Sequence, residues 1–78
     1  DAAETVKWYT LAAEQGDADA LYNLGICYSR SHGVPRDIER ALELHFKAAQ
    51  QGHFAAKAEY DEIIRMHRDE IEDLDRFL

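Results

Sequence analysis

Four histidines, one cysteine and sixteen carboxylates are the residues in this chain whose types could do chemistry. A zinc site needs His or Cys ligands converging in pairs about two to five residues apart. Cys27 and His32 have that spacing, but they fall across the end of a helical pattern, and His45, His53 and His67 stand apart in sequence. Cys27 lies on the apolar face of its helix, where a free thiol behaves as a small hydrophobe rather than a nucleophile paired with a His base. A single Cys also forms no internal disulfide. No glycine-rich loop of the phosphate-cradling kind follows a strand pattern, and no strand pattern exists. General acid–base work needs a cleft and a displaced pKa, whereas these carboxylates are spread along helix surfaces. The expectation is a non-enzyme with no catalytic residue, no metal ligand and no cofactor.

The elements that carry these residues repeat. Ala12-Ala13-Glu14-Gln15-Gly16 returns as Ala48-Ala49-Gln50-Gln51-Gly52, an offset of 36 residues. Asp1, Asp37 and Asp73 then fall in register, as do Ala20 with Ala56, Arg40 with Arg76 and Leu42 with Leu78. A period of this size signals stacked helix pairs. Asp1 caps the first helix, which runs to Gln15 and stops at Gly16. Asp17 or Asp19 opens the second, in which Ala20, Leu24, Cys27 and Tyr28 share one face. Ser31-His32-Gly33-Val34-Pro35 is the strongest turn signal. Asp37 caps the third helix, which ends at Gly52, and the fourth begins near His53 or Phe54. From there no Gly or Pro follows, so the spacing predicts one uninterrupted helix over His53–Phe77. The competing pull is a turn near His67–Asp69, because Asp73-Leu74-Asp75-Arg76 echoes Asp37-Ile38-Glu39-Arg40.

The spaced set Asp19-Ala20-(x3)-Leu24-Gly25-(x2)-Tyr28-(x4)-Gly33-Val34-(x2)-Asp37-(x3)-Ala41-(x6)-Ala48-Ala49-(x2)-Gly52 closely resembles the Sel-1-like repeat, a relative of the tetratricopeptide repeat. The resemblance covers residues 1–60. Ser31 stands where the family usually has Gly, and Asp61 and Asp69 stand where the first copy has Gly25 and Gly33. It implies an all-α fold, a right-handed α-α superhelix in the form of a short solenoid. Residues 1–16 would be a half repeat, 17–52 a full repeat, and 53–78 a half repeat running into a C-terminal capping helix. It also implies a protein–protein interaction scaffold or adaptor. In such solenoids the first helix of each pair lines a concave face. Here that helix is 18–31, and the side opposite its core face is Tyr22, Asn23, Ile26 and Arg30. Aromatic residues and Arg are enriched at interface hot spots, so these four are the candidate protein-binding residues. The alternative is a non-binding C-terminal capping segment of a longer solenoid.

Packing expectations follow. Ala12, Ala13, Ala20, Ala48, Ala49, Ala56 and Gly25 let helix axes approach, and Trp8, Tyr9, Leu44 and Phe46 supply bulk. Thr5, Trp8, Tyr9 and Ala12 are expected to face the next helices, with Leu11 and part of Val6 turned away. That edge would fray or be covered by another chain, which makes self-association through exposed repeat edges one expectation. Residues 59–78 carry five of the seven excess negative charges. Yet Tyr60, Ile64, His67, Ile71, Leu74 and Leu78 form a helical stripe, which suits an end cap. The net charge of −7 opposes binding to a phosphate backbone, so a protein or peptide partner is expected and nucleic acid is not. No apolar run is long enough to span a membrane, and the first residues, which lack an initiator Met, do not read as a signal peptide.

Gly16 and Gly52 are expected to hold positive φ as helix stops. Gly16→Val or Gly52→Val should therefore destabilise by about 1–2 kcal/mol, because a β-branched residue fits the left-handed region poorly. Thermal melts of the two variants check this, and midpoints equal to the parent's would contradict the repeat geometry.

Overall fold

A computed structural model describes residues 1–68. Among these there are four helices and no strand: α1 (Ala2–Glu14), α2 (Ala18–Ser29), α3 (Ile38–Gln50) and α4 (Phe54–Met66). Each starts at a side-chain cap. Asp1 accepts from the Ala3 N–H at 3.0 Å, Asp17 from Ala20 at 3.0 Å, Asp37 from Arg40 at 3.1 Å, and the His53 ring from Ala56 at 3.1 Å. Such caps satisfy amides that have no partner inside the helix.

The two helix-to-helix turns that share the Gln-Gly pair are the same object built twice. Gln15 and Gln51 N–H donate to Ala12 and Ala48 carbonyls at 3.1 and 3.0 Å. Asp17 and His53 N–H, one residue past the glycines, return to those same carbonyls at 3.2 Å. Gly16 and Gly52 have φ of 85° and 87°, as the sequence predicts. Neither would bring a Cβ within 4 Å of another atom, so the penalty for a side chain there is backbone strain alone. The turns are also tied together, since the Gln51 side-chain amide donates to the Gly16 carbonyl at 2.8 Å. Between α2 and α3 the left-handed positions are Ser31 (φ 54°) and Gly33 (φ 83°). Ser31 adopts, at some strain, the conformation for which Gly is suited. Gly33 is required twice over, because a Cβ there would also sit 2.6 Å from the Ala2 carbonyl oxygen.

Helices adjacent in sequence pack side by side, and α2 against α3 is the most extensive pairing. The main core contains Val6, Leu21, Leu24, Cys27, Leu44, Ala48 and Ala56. A second cluster, Ile38, Ala41 and Ile63, lies between α3 and α4, and Tyr28 packs against both. The Arg40 guanidinium sits 5.2 Å above the Tyr28 ring. Burial of the Cys27 thiol pushes its pKa up, as an apolar setting disfavours the thiolate.

Several packing expectations need correction. Trp8 is 62% exposed and Phe46 is 51% exposed, so neither supplies core bulk. α1 meets α2 through Val6, Tyr9 and Ala13 instead, and Val6 is buried. The error is one of helix phase. Trp8 is the counterpart of Leu44, which on α3 is buried with the α2 residues of the main core. Trp8 therefore occupies the face that a helix preceding α1 would meet. The uninterrupted helix over His53–Phe77 is also overturned, because α4 ends at Met66 with His67 as its C-cap. No Gly or Pro marks this end. It falls one residue past where the 36-residue offset puts the end of α2, and there Arg36 donates to the His67 ring at 2.9 Å. Residues 69–77 of that expected helix, and the capping helix with them, lie outside the described residues. On α4 the deeply buried positions are Ala56 and Ile63, while Tyr60, Ile64 and His67 are only half-buried.

Gly25 sets the α2–α3 distance. The fully buried His45 ring lies over it, and a Cβ on residue 25 would fall 2.6 Å from the ring's Cε1. Gly25→Ala should destabilise by about 1–2 kcal/mol net, although Ala gains roughly 1 kcal/mol of helix propensity, because overpacking a filled core costs about 1–3 kcal/mol. Chemical denaturation of the variant is the check.

His45 also generates a pH dependence. Burial, with smaller contributions from the nearby His53 and Arg30 charges, lowers its pKa from 6.5 to about 4. The folded chain holds the ring neutral while the unfolded chain protonates it near 6.5. Stability is therefore complete above that pH and is lost as the pH falls toward 4. The expected loss is about 3 kcal/mol at 1.36 kcal/mol per pH unit. Denaturation from pH 8 to 4 should show this decline in the parent and a shallower one in His45→Leu.

Candidate protein-binding face

Tyr22, Asn23 and Ile26 lie on α2, and Arg30 is the residue that caps its C-terminus. A spacing of four, three or one places them along one side of the helix, opposite the buried Ala20, Leu24 and Cys27. α2 and α4 pack directly on each other, and Tyr22 and Arg30 reach the α4 segment from that side of α2.

They are not equally available there. Tyr22 is half-buried rather than exposed. Its ring stacks on His53 with centroids 4.7 Å apart and planes 23° apart, and it lies 5.6 Å from His45. Asn23 and Ile26 are half-buried as well. Arg30 is exposed, and its guanidinium pairs with Glu59 of α4 at 3.4 Å. At the other end of α2, the Asp19 carboxylate accepts from the His53 Nε2 at 2.9 Å. Two polar contacts thus join α2 to the α4 segment, one at each end, with the Tyr22–His53 stack inside them. Exposed ion pairs contribute about 0–1 kcal/mol each, so these contacts fix orientation more than they add stability.

Sequence reasoning missed His45, His53, Asp19 and Glu59 here. A signal for part of this was present. The 36-residue offset puts Ala58, Glu59 and Glu62 of α4 at the positions of Tyr22, Asn23 and Ile26, so Glu59 could have been placed on the same side as Arg30. His45 carried no such signal, since at its repeat position α1 has Tyr9. Among the described residues neither His45 ring nitrogen has a hydrogen-bond partner. No group of three or more His, Cys, Asp or Glu side chains that could hold a metal ion occurs among them, and no helix is long and apolar enough to cross a membrane. Among the described residues the large exposed apolar side chains are Trp8, Leu11, Phe46, Phe54 and Met66, none of them on α2. Phe46 and Tyr60, 6.0 Å apart, line a groove of about 340 Å³ with Ala49, Gln50, Lys57 and Asp61.

Paired helices, matching Gln-Gly turns and a 36-residue register define a helical-repeat protein. The Sel1 repeat model matches residues 1–17 and 18–53, so the chain belongs to the Sel1 repeat family. Repeats of this family generally mediate protein–protein interaction, and the family is a non-enzymatic interaction-domain type. The chain is 37% identical over 57 residues to the rat (Rattus norvegicus) protein named DAP3-binding cell death enhancer 1. It is 35% identical over 57 residues to the mouse (Mus musculus) protein of the same name. The match covers 73% of this chain but 11% of each relative's length. No solved structure matches significantly.

Proposed function

We propose that this chain is a protein-interaction segment of a Sel1 repeat scaffold, with the partner polypeptide lying along the α2/α4 side against Tyr22, Asn23, Ile26 and Arg30. The observation that carries this reading is the row of half-buried Tyr22, Asn23 and Ile26 ending at the exposed Arg30 cation. Such a row offers apolar area, an amide and a charge at low ordering cost, because Tyr22 is already held by His53. The relatives' printed name supports a protein as the partner class and makes DAP3 the first candidate to try. Self-association is the further expectation, and the exposed Trp8 and Leu11 on α1 are the edge it would use.

A second reading is a stack-ending segment that binds nothing. It is favoured by the α4 positions matching Leu21 and Gly25 on α2, which are Lys57 and Asp61. These two pair at 3.2 Å, so the α4 face corresponding to a buried α2 face suits water.

Capture from cell extract by the parent and by Tyr22→Ala/Ile26→Ala separates the readings. Binding predicts at least a tenfold loss of a specific partner. Arg30→Gln, which removes the exposed charge and its pair with Glu59 without adding a like charge, should weaken capture while lowering the melting midpoint by no more than about 4–8 °C. Equal capture by all three would support the stack-ending reading. A midpoint that rises with protein concentration would indicate self-association, and one independent of concentration would reject it.

A further inference from the structure

His53 is the one helix cap among the four that is not an aspartate. One repeat earlier, Asp17 holds the same position and accepts from the Ala20 N–H, as His53 does from the Ala56 N–H. This contact assigns the ring's tautomer. A backbone N–H only donates, so Nδ1 must be the bare acceptor. The ring proton then sits on Nε2 and donates to the Asp19 carboxylate at 2.9 Å. Both nitrogens are committed, each to a different helix. The ring's face is occupied too, by Tyr22 at 4.7 Å, and the side chain is only 15% exposed.

We propose that His53 is the positioning residue of the α2/α4 side: its neutral, Nδ1-accepting ring fixes the start of α4 against α2 and orients Tyr22, and acid releases both. The consequence for partner binding rests on the protein-binding reading above; the structural device does not. An aspartate at this position, as at Asp17, would remain an acceptor in mild acid. An imidazole would not, because a second proton lands on Nδ1 and turns it into a donor facing the donor of Ala56. The ring must then leave the cap.

The charged and titratable groups around His53 act in different directions. From α2, Asp19 favours the protonated ring, but it is 85% exposed and its pull is screened by water. Tyr22 covers the ring face and holds it away from solvent. From α3, His45 is the neighbouring imidazole whose charging a protonated His53 opposes, and Arg30 at the end of α2 adds positive charge near His45. Arg30 is itself paired with Glu59 of α4. On α4 the Ala56 N–H opposes protonation directly. Asp19 makes its contact at Nε2, which already carries a proton. The proton that changes the structure is the one added at Nδ1.

Nuclear magnetic resonance of the full chain tests this without any partner. At pH 8 the His53 Nδ1 should resonate as an unprotonated ring nitrogen and Nε2 as a protonated one. From pH 8 to 5 the Ala56 amide and the Tyr22 ring signals should move with the midpoint of the His53 ring itself. The Leu44 and Ala48 amides, which report the core around His45, should stay in place over that window. In His53→Asn the cap is kept without a titrating group, so the Ala56 amide should not move. A protonated Nδ1 at pH 8 would overturn the proposal. So would Ala56 and Tyr22 signals that stay fixed from pH 8 to 5. Either failure leaves the protein-binding reading standing, and a partner indifferent to Tyr22→Ala/Ile26→Ala would remove that reading while leaving the tautomer result intact.

Discussion

The contact of the His45 ring with the bare backbone of Gly25 is the constraint on which the stack depends. It holds α2 and α3, the most extensive pair among the described helices, at a separation that a Cβ on residue 25 would strain. A glycine inside a helix costs about 1 kcal/mol in propensity, so its place here reflects packing rather than helix formation. His45 gives up water on both ring nitrogens to fill the space. The arrangement is strong while the ring is neutral and weak once it is charged, because burial penalises the charged form. The α2–α3 contact is thus set by one missing Cβ and one ring.

The rest of the architecture follows from turns that the chain writes twice. Matching hydrogen bonds at Gln15-Gly16-Asp17 and Gln51-Gly52-His53 give α1–α2 and α3–α4 the same entry geometry. The Gln51 amide on the Gly16 carbonyl then joins one turn to the next, so their separation is set by a direct bond as well as by core packing. α2 and α4 come together on one side as a result, and Tyr22, Asn23, Ile26, Arg30, His53 and Glu59 collect there.

Much of this was legible from residues alone. The helix starts at Asp1, Asp17 and Asp37 and the positive φ at Gly16 and Gly52 are local properties, and local chemistry reveals them. So does the burial of Ala20, Leu24, Cys27 and Ala48, which recur at helical spacing. What was not legible depends on which neighbour a helix face meets. Trp8 has the size of a core residue, but its face is turned from α2, and no pattern within α1 states which face that is. The end of α4 at Met66 carries no Gly or Pro, and its contact comes from Arg36 on a distant loop. His45 and His53 were invisible as partners of Tyr22 because three different segments bring them together. The four candidate binding residues were read from helix geometry as the side of α2 away from its core face, but the partial burial of Tyr22 and the Arg30–Glu59 pair needed coordinates.

Tyr28 belongs to both apolar clusters, with Arg40 over its ring. Repeat stacks are quasi-one-dimensional, and a unit in the middle feels the ends only through its neighbours. In such a chain, cooperativity is a property of the joints. Here Tyr28 is one such joint, between the main cluster, which runs from Val6 on α1 to Ala56 on α4, and the smaller cluster of Ile38, Ala41 and Ile63. Loosening that ring would leave the main cluster connected and detach only the smaller one, so the stack would open from the Ile63 side while its centre stays folded.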